Sequence, residues 1–330
     1  MTKLTMPAEW EPHERTLIAW PARADMWGDL LEEAKREHVA TVAAIAAFEP
    51  VTLVADPADA AEARSRVPAD NVEVLALPID DSWLRDNGPL VVTGDDGARA
   101  AVDFVFNAWG EKMRPFDRDD RLTALLAERL DLPYQRSPFV LEGGSIAVDG
   151  RGTLLTTEQC LLHPSRNPAR DRDGIARELC VRLGAERVVW LGQGLVEDVE
   201  TDGHVDLVAA FLPSGEVLLE DLPEGDPNHA GCQENLARLE AAGLAVRSLP
   251  WLARAELDGR AFALSYMNHY LCNGAVIAPV AGQPELDEQA LALLAELHPE
   301  REVVAVPALT LAWAGGGPHC ITQQVPAARL

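Results

Sequence analysis

One complete unit of local structure is encoded between residues 145 and 192 by SIAVDGRGTLLTTEQCLLHPSRNPARDRDGIARELCVRLGAERVVWLG. Its first part, residues 145–158, has two apolar runs joined by a glycine turn, which predicts a β-hairpin. Residues 169–184 have the apolar spacing of an amphipathic helix, and the apolar run RVVWLG (187–192) is typical of a buried strand. The segment therefore predicts a ββαβ unit.

The helix-then-strand part of this unit recurs along the chain. Five helical patterns are each followed, after a short polar stretch, by an apolar run. We predict helices at 27–48, 120–132, 169–184, 230–243 and 286–299, and strands at VTLVAD, PYQRSP, RVVWLG, AVRSLP and REVVAVP. A second hairpin is expected at 204–221. This repetition predicts one closed α/β domain over residues 1–330, with five ββαβ units in a radial or stacked arrangement.

The composition restricts the class of protein. The chain has 53 acidic and 28 basic residues and a formal net charge of −25, which disfavours nucleic acid as a partner and suits a small cationic substrate. No run of about 18 apolar residues predicts a membrane span, and the N-terminus lacks the pattern of a secretory signal. The five cysteines are an odd number and predict reduced thiols rather than a disulfide framework. We therefore expect a cytoplasmic protein.

Four short stretches combine glycine with ionisable side chains. They are SWLRDNGPL (82–90), LEGGSIAVDG (141–150), EDVETDGHVD (197–206) and AGGGPHCITQQ (314–324). A glycine near each reactive group is what a sharply turning backbone at a site requires. The candidate site residues are Asp86, Glu142, His204, Asp206 and Cys320.

A thiolate nucleophile, an acid/base and several carboxylates form a coherent chemical set. A free cysteine has a pKa of about 8.5, so Cys320 needs a positive neighbour or substrate to ionise. His204 and Asp206 alternate on a predicted strand and should point to the same face. If the chain around Cys320 is extended, His319 points away from that cysteine, and we interpret it either as a structural residue or as one that supports the site residues without touching the substrate.

Each candidate also has a structural interpretation. Asp86 beside Arg85 is compatible with a solvated ion pair, and Glu142 before two glycines is compatible with simple turn chemistry. The remaining cysteines are interpreted as small core residues; they are Cys160, Cys180, Cys232 and Cys272.

Metal and nucleotide sites are not expected. Cys160 and His163 in CLLH are ligand-like residue types, but no second pair of cysteines or histidines completes a structural zinc site. Neither the P-loop pattern nor the dinucleotide-binding glycine pattern is present. We predict no metal and no organic cofactor.

The ordered set of motifs resembles a known family. It comprises WLRDNGP, EGGSIAVDGRGTLLTTEQCLLHPSRNP, TDGHVD, SYMNHYLCNG and GGGPHCITQQ, and it extends from about residue 6 to residue 324. In this order the motifs are similar to those of the agmatine deiminase branch of the guanidine-modifying pentein superfamily, which includes bacterial peptidylarginine deiminases. The resemblance implies a five-bladed, pseudo-symmetric α/β propeller of ββαβ repeats.

The resemblance also implies residue roles. Cys320 matches the family's nucleophile, His204 its acid/base, and Glu142 the carboxylate that acts with the histidine. Asp86 and Asp206 match the carboxylates that hold the guanidinium. The residues assigned to substrate binding are Asp86, Asp206, Trp83, Glu200 and Gly316. The nucleophile segment departs from the family's GGGNIHC pattern, because proline stands at position 318.

The implied reaction is hydrolysis of agmatine to N-carbamoylputrescine and ammonia through a covalent thiouronium, a step toward putrescine. Glu200 is the candidate for binding the far amine of agmatine, with a solvated surface glutamate as the alternative. Homo-oligomers are expected by family analogy. Deimination of peptidyl or free arginine, amidino transfer, a papain-like peptidase and a non-catalytic module for a cationic ligand stay open as alternative functions.

Overall fold

The computed structural model describes residues 3–68 and 70–328. Its strands, in chain order, are β1 (His13–Ala19), β2 (Val51–Ala55), β3 (Val72–Ala76), β4 (Leu90–Thr93), β5 (Arg99–Val105), β6 (Tyr134–Val140), β7 (Ile146–Val148), β8 (Thr153–Thr157), β9 (Arg187–Leu191), β10 (Ala209–Phe211), β11 (Val217–Glu220), β12 (Val246–Leu249), β13 (Leu252–Leu257), β14 (Arg260–Ser265), β15 (Tyr270–Cys272), β16 (Ala275–Val280), β17 (Glu302–Pro307) and β18 (Thr322–Pro326).

Helices separate many of these strands. They are α1 (Ala24–Trp27), α2 (Leu31–Ala46), α3 (Ala60–Arg66), α4 (Leu84–Asn87), α5 (Ala108–Glu111), α6 (Asp119–Arg129), α7 (Glu158–Leu161), α8 (Arg172–Leu183), α9 (His229–Ala241), α10 (Pro284–Leu297) and α11 (Leu309–Trp313). Short 3₁₀ turns span Gly28–Leu30, Gly143–Ser145 and Val205–Leu207. The five predicted helices correspond to α2, α6, α8, α9 and α10, and each is followed by its predicted strand. These predictions are confirmed.

Five sheets of the described chain share one connectivity. In each, an antiparallel strand pair leads into a helix and then into a strand that pairs in parallel. The strand orders are β18-β1-β2-β3, β4-β5-β6, β7-β8-β9, β10-β11-β12 and β15-β16-β17. The ββαβ unit predicted from residues 145–192 is therefore a structural repeat of this α/β fold.

The C-terminal strand completes the first unit. β18 pairs antiparallel with β1, while β1 pairs in parallel with β2. The hairpin β13–β14 forms a separate two-stranded sheet. The described sheets are distinct and none of them closes on itself, so the five-bladed propeller stays a prediction.

The helix α8 illustrates how sequence pattern fixes the packing of a unit. It begins after Asp171, whose side chain accepts a hydrogen bond from a first-turn backbone N–H. Ile175, Leu179 and Leu183 recur every four residues, so they lie on one face, and all three are buried in one apolar cluster with Trp190 of β9. Burial of each such side chain contributes about 1.5–3 kcal/mol.

One local prediction is wrong. His204 and Asp206 do not alternate along a strand, because residues Val205–Leu207 form a 3₁₀ turn and the second hairpin begins only at β10. In addition, none of the helices in residues 3–68 and 70–328 has both the length and the hydropathy needed to cross a bilayer.

Candidate active site

Short segments that precede the first strand of each ββαβ unit supply the site. They carry Asp86 before β4, Glu142 before β7, His204 and Asp206 before β10, Asn268 before β15 and Cys320 before β18. Asp86 Oδ1 lies 3.8 Å from His204 Nδ1, and Glu142 Oε2 lies 3.8 Å from His204 Nε2. The Cys320 thiol lies 3.5 Å from Asp206 Oδ2. The structure thus brings together all five candidate residues.

Asp86 is buried and fixed by two donors. Its Oδ2 accepts a hydrogen bond of 2.9 Å from Trp109 Nε1, and its Oδ1 accepts one of 2.9 Å from the backbone N–H of Gly144. Neighbouring Arg85 is buried too and pairs with Glu9, so Arg85 and Asp86 do not form the alternative solvated ion pair. Burial, with the charges of nearby carboxylates, raises the pKa of Asp86 to about 6.

Glu142 is held by a buried arginine. Arg166 Nε donates to Glu142 Oε1 at 2.7 Å, while the same guanidinium bonds Asp202 at 2.7 Å and the carbonyl of Thr201 at 2.9 Å. Glu142 Oε2 has no hydrogen-bond partner and faces His204. Burial alone would raise the pKa of Glu142, but Arg166 and His204 lower it below its usual value.

His204 is an imidazole surrounded by anions. Its backbone N–H is fixed by Asp198 Oδ2 at 3.0 Å, and neither ring nitrogen has a hydrogen-bond partner. Burial alone would lower the pKa of His204, but Asp86, Cys160 and Glu142 raise it well above its usual value. The surrounding anions therefore favour the protonated ring, which can give up a proton.

Cys320 is a buried thiol with one amide donor. Asn268 Nδ2 lies 3.1 Å from the sulfur, and Asn268 Oδ1 accepts the backbone N–H of Cys320 at 3.3 Å. Burial, together with the carboxylates of Asp206 and Asp86, raises the pKa of Cys320 well above its usual value. Without a cationic ligand the group is therefore a thiol, and a bound cation would favour the thiolate.

A cavity of about 190 Å³ opens beside the thiol. Its lining residues are Met26, Trp83, Asp86, Trp109, Lys112, Met113, Val199, Glu200, Thr201, Ala314, Gly315 and Cys320. A thiol, two carboxylates and two indole rings thus line one space. This combination suits a flat cation, because the carboxylates accept its N–H groups and aromatic faces attract its charge.

The other proposed binding residues lie at or near this cavity. Trp83 is buried and stacks on Trp27 with ring centroids 5.9 Å apart. Glu200 lines the cavity, and its carboxylate pairs with Arg260. Gly316 does not line it. A Cβ atom at Gly316 would stand 2.4 Å from the Trp83 ring and 2.9 Å from Cys320 Cβ, so glycine is required there by close packing.

Gly144 gives a test of how tightly the site is assembled. A Cβ atom there would lie 2.7 Å from His204 Nδ1 and 2.9 Å from both Asp206 Oδ2 and Asp86 Oδ1. We expect Gly144→Ala to displace these side chains and to lower kcat/KM about a hundredfold for agmatine, the substrate that the resemblance implies. Small misplacements of reacting groups are costly to the rate. Gly174→Ala, in the first turn of α8, is the control and should leave kcat/KM unchanged. Equal activity of the two variants would contradict this packing.

One group of potential metal ligands occurs among the described residues. Glu142, Cys160 and His204 offer ligand atoms that all lie within 4.8 Å of one another. The group lacks the fourth protein ligand of a structural zinc site, and the Arg166 charge on Glu142 opposes a dication. We assign no metal to it. Cys160 is otherwise a buried core thiol, and burial raises its pKa.

Sequence reasoning missed three residues that position the site. Trp109, Arg166 and Asn268 bond Asp86, Glu142 and Cys320, respectively. The last two lie inside the quoted motifs HPSRNP and SYMNHYLCNG, which was the available signal. The interpretation of His319 is corrected in one respect. The chain is not extended there, and His319 Nδ1 contacts Asp206 Oδ2 at 2.9 Å.

The chain matches one protein family over residues 5–326, described as Porphyromonas-type peptidyl-arginine deiminase. It is 42% identical over 354 residues to an agmatine deiminase of Pseudomonas aeruginosa (strain LESB58), which covers 98% of this chain and 96% of that protein. The family resemblance noted in the sequence is confirmed.

Solved structures give the same result. An Enterococcus faecalis agmatine deiminase, described as catalysing its reaction, is similar with a TM-score of 0.94 and 34% identity over 99% of this chain and 97% of that chain. A variant C. jejuni agmatine deiminase with substrate bound has a TM-score of 0.91 and 26% identity over 98% and 97% of the two chains. The α/β class of the fold is confirmed by these similarities.

Proposed function

Because the chain belongs to the Porphyromonas-type peptidyl-arginine deiminase family, we propose that it hydrolyses the guanidinium group of agmatine to N-carbamoylputrescine and ammonia. The observation that carries this proposal is that the Cys320 thiol and the Asp86 carboxylate line one cavity. Agmatine deiminases at about 40% identity over nearly the whole chain support the choice of substrate.

Binding depends on the charge and shape of the guanidinium. The group is planar, permanently charged and rich in N–H donors, so it needs acceptors and repays bidentate contacts. Asp86 lines the cavity together with the sulfur. Asp206 is not among the described lining residues, but its Oδ2 lies 3.5 Å from the sulfur and its Oδ1 is buried without a hydrogen-bond partner. These carboxylates hold the central carbon of the guanidinium against Cys320.

The first step forms a covalent adduct. The bound cation favours loss of the Cys320 proton to solvent, and the thiolate attacks the guanidinium carbon. His204 gives its proton to the departing nitrogen as the carbon–nitrogen bond breaks, which releases ammonia and leaves a thiouronium on the sulfur. Glu142, 3.8 Å from His204 Nε2, favours the protonated ring before this step.

The second step releases the product. His204, now neutral, takes a proton from water as the oxygen attacks the thiouronium carbon. The carbon–sulfur bond breaks, the excess proton returns to sulfur, and a ureido product leaves. Thiol and imidazolium are restored, and neither step requires a metal or an organic cofactor.

The cavity favours agmatine over free arginine. Free arginine needs a cation for its α-carboxylate, and Lys112 is the cationic side chain in the described lining. Its ammonium has three donors, which already bond Asp202, the carbonyl of Val199 and the carbonyl of Glu200 at 2.7–2.9 Å. The far amine of agmatine instead meets Glu200, in competition with Arg260.

The same reasoning covers the larger architecture. We propose that the five ββαβ units surround the site as blades of a propeller within one domain. The pairing of β18 with β1 and the supply of site residues from the start of each unit support this arrangement. Cytoplasmic location and homo-oligomers stay predictions.

A substrate panel tests the function. The protein is incubated with agmatine, free arginine and a blocked peptidylarginine, and the ureido product and ammonia are measured for each. We expect turnover of agmatine alone, and the absence of product from all three compounds would contradict the hydrolase proposal.

Glu200→Gln should raise the KM for agmatine about tenfold by removing a charged partner of the amine. An unchanged KM would remove Glu200 from the binding site.

A further inference from the structure

The two oxygens of Asp206 have different surroundings. Oδ2 contacts His319 Nδ1 at 2.9 Å and lies 3.5 Å from the Cys320 sulfur. Oδ1 is buried and has no hydrogen-bond partner. A buried carboxylate oxygen without a donor is costly, so it is open for a donor that the substrate brings. The contact with His319 therefore fixes which oxygen is occupied and which is open.

His319 is itself held from the other side. Its Nε2 contacts Glu9 Oε2 at 2.9 Å, and Glu9 also accepts from Arg85 at 3.2 Å and from the backbone N–H of Leu271 at 2.8 Å. A second cavity, of about 60 Å³, lies beside this network, and Cys320 is not among its described lining residues. Its lining includes Glu9, Arg85, Asp206 and His319. A chain of charged contacts therefore runs from the N-terminal segment to the carboxylate beside the nucleophile.

The charged groups around His319 determine whether its ring is protonated. The titratable and charged groups that face the ring are Asp206, Glu9, Arg85 and His269. Burial and Arg85 would lower the pKa of His319, but the two flanking carboxylates raise it above its usual value. When the ring is protonated, both of its nitrogens donate hydrogen bonds, one to Asp206 and one to Glu9. The same contact helps to lower the pKa of Asp206 despite its burial.

We propose that His319 is a positioning residue for guanidinium binding, which orients Asp206 so that Oδ1 faces the substrate, and that Glu9 anchors His319 for this task. The proposal rests on the function proposed above. His319 does not touch the reacting atoms. It acts through Asp206, so its loss affects binding of a cation beside Cys320 more than the intrinsic reactivity of the thiol.

Two amide variants separate this role from a structural one. In His319→Asn the side-chain amide nitrogen stands near the position of Nδ1 and can still donate to Asp206. In His319→Gln the nitrogen stands near Nε2 and reaches Glu9 instead. We expect KM for agmatine to rise less than about tenfold in His319→Asn and about a hundredfold in His319→Gln, because a hydrogen bond to a charged group is lost only in the second.

Alkylation of Cys320 gives a readout that does not need turnover. We expect His319→Gln to reduce the rate of Cys320 alkylation by the cationic reagent 2-chloroacetamidine at least tenfold more than the rate with the neutral reagent iodoacetamide. Peptide mass spectrometry identifies the alkylated residue. His298→Gln is the matched control, because His298 is buried and its ring nitrogens have no hydrogen-bond partner. It should leave the ratio of the two alkylation rates unchanged.

The outcomes are distinct. Equal effects of His319→Asn and His319→Gln on KM and on the ratio of alkylation rates would overturn the positioning role. It would also be overturned if His298→Gln changed KM and that ratio as much as His319→Gln does at an equal loss of thermal stability. If the unmodified protein does not turn over agmatine, the proposed function fails while the alkylation ratio still decides the role of His319.

Glu9→Gln keeps the test decisive if the His319 variants do not fold. Loss of the Glu9 anion should lower the pKa of His319, so KM for agmatine should begin to rise with pH at a lower pH than in the unmodified protein. An unchanged pH profile of KM contradicts the anchoring by Glu9.

Discussion

Replacement of Cys320 by serine is expected to lower kcat for agmatine by at least about 10,000-fold, because the covalent route loses its thiolate and a serine hydroxyl is far harder to ionise than a thiol. The variant should still bind agmatine. The proposed binding residues Asp86, Trp109 and Asp206 are unchanged in it. The measurement is steady-state release of ureido product, with isothermal titration of agmatine into the variant as the test of binding.

The matched control is Cys180→Ser. Cys180 lies on α8, is partly exposed and is not among the described residues that line the cavity beside Cys320, so this variant should keep full activity. Acid quench during turnover of the unmodified protein should trap agmatine, less ammonia, on Cys320. An adduct on Cys160 or another cysteine would overturn the assignment of the nucleophile, and undiminished turnover by Cys320→Ser would overturn the covalent route.

The repeated helices and strands were predictable because they depend on local periodicity. α8 and β9 carry their apolar spacing within about twenty consecutive residues, so the pattern is visible without tertiary information. The pairing of β18 with β1 was not predictable in this way. It joins the two ends of the chain, and nothing in the sequence near either strand specifies a partner some 300 residues distant.

The candidate site was predictable to the extent that its residues lie in motifs. Asp86, Glu142 and Cys320 each have a glycine within three residues, and the resemblance gave them roles. Arg166 lies inside a quoted motif but had no assigned role, because an arginine among turn residues is usually solvated, and only tertiary structure buries it against Glu142. The two-residue spacing of His204 and Asp206 suggested a strand, but a single pair of residues is too short to establish a period, and Val205–Leu207 form a 3₁₀ turn.

His319 shows why a face assignment fails when the backbone is not regular. Neighbouring side chains oppose each other only in an extended chain. Residues 318–321 form a turn, and His319 Nδ1 and the Cys320 sulfur both approach the same oxygen of Asp206, Oδ2. The adjacent histidine therefore contacts the same carboxylate as Cys320, and the structure thus gives a specific partner to the supporting role that the sequence left open.

Asp86→Asn is expected to lower kcat/KM for agmatine roughly a thousandfold, because it removes a buried charge that pairs with the guanidinium. It should also change the pH profile. In the unmodified protein the pKa of Asp86 is raised to about 6, so kcat/KM should fall as the pH drops through about 6 and the carboxylate takes up a proton. The pKa values of Glu142 and Asp206 are lowered, so they do not supply this acid limb.

The asparagine does not titrate, so the acid limb near pH 6 should vanish from the residual activity. At alkaline pH, kcat/KM should fall as His204 loses the proton that it gives to the leaving nitrogen. This alkaline limb should move to lower pH in Asp86→Asn, because removal of an anion beside His204 lowers the pKa of that imidazole. Trp109→Phe provides the contrast: it removes one donor to Asp86 but keeps the charge, so the loss should be smaller and the acid limb should move to higher pH. An acid limb that persists near pH 6 in Asp86→Asn would show that another group controls binding of the cation.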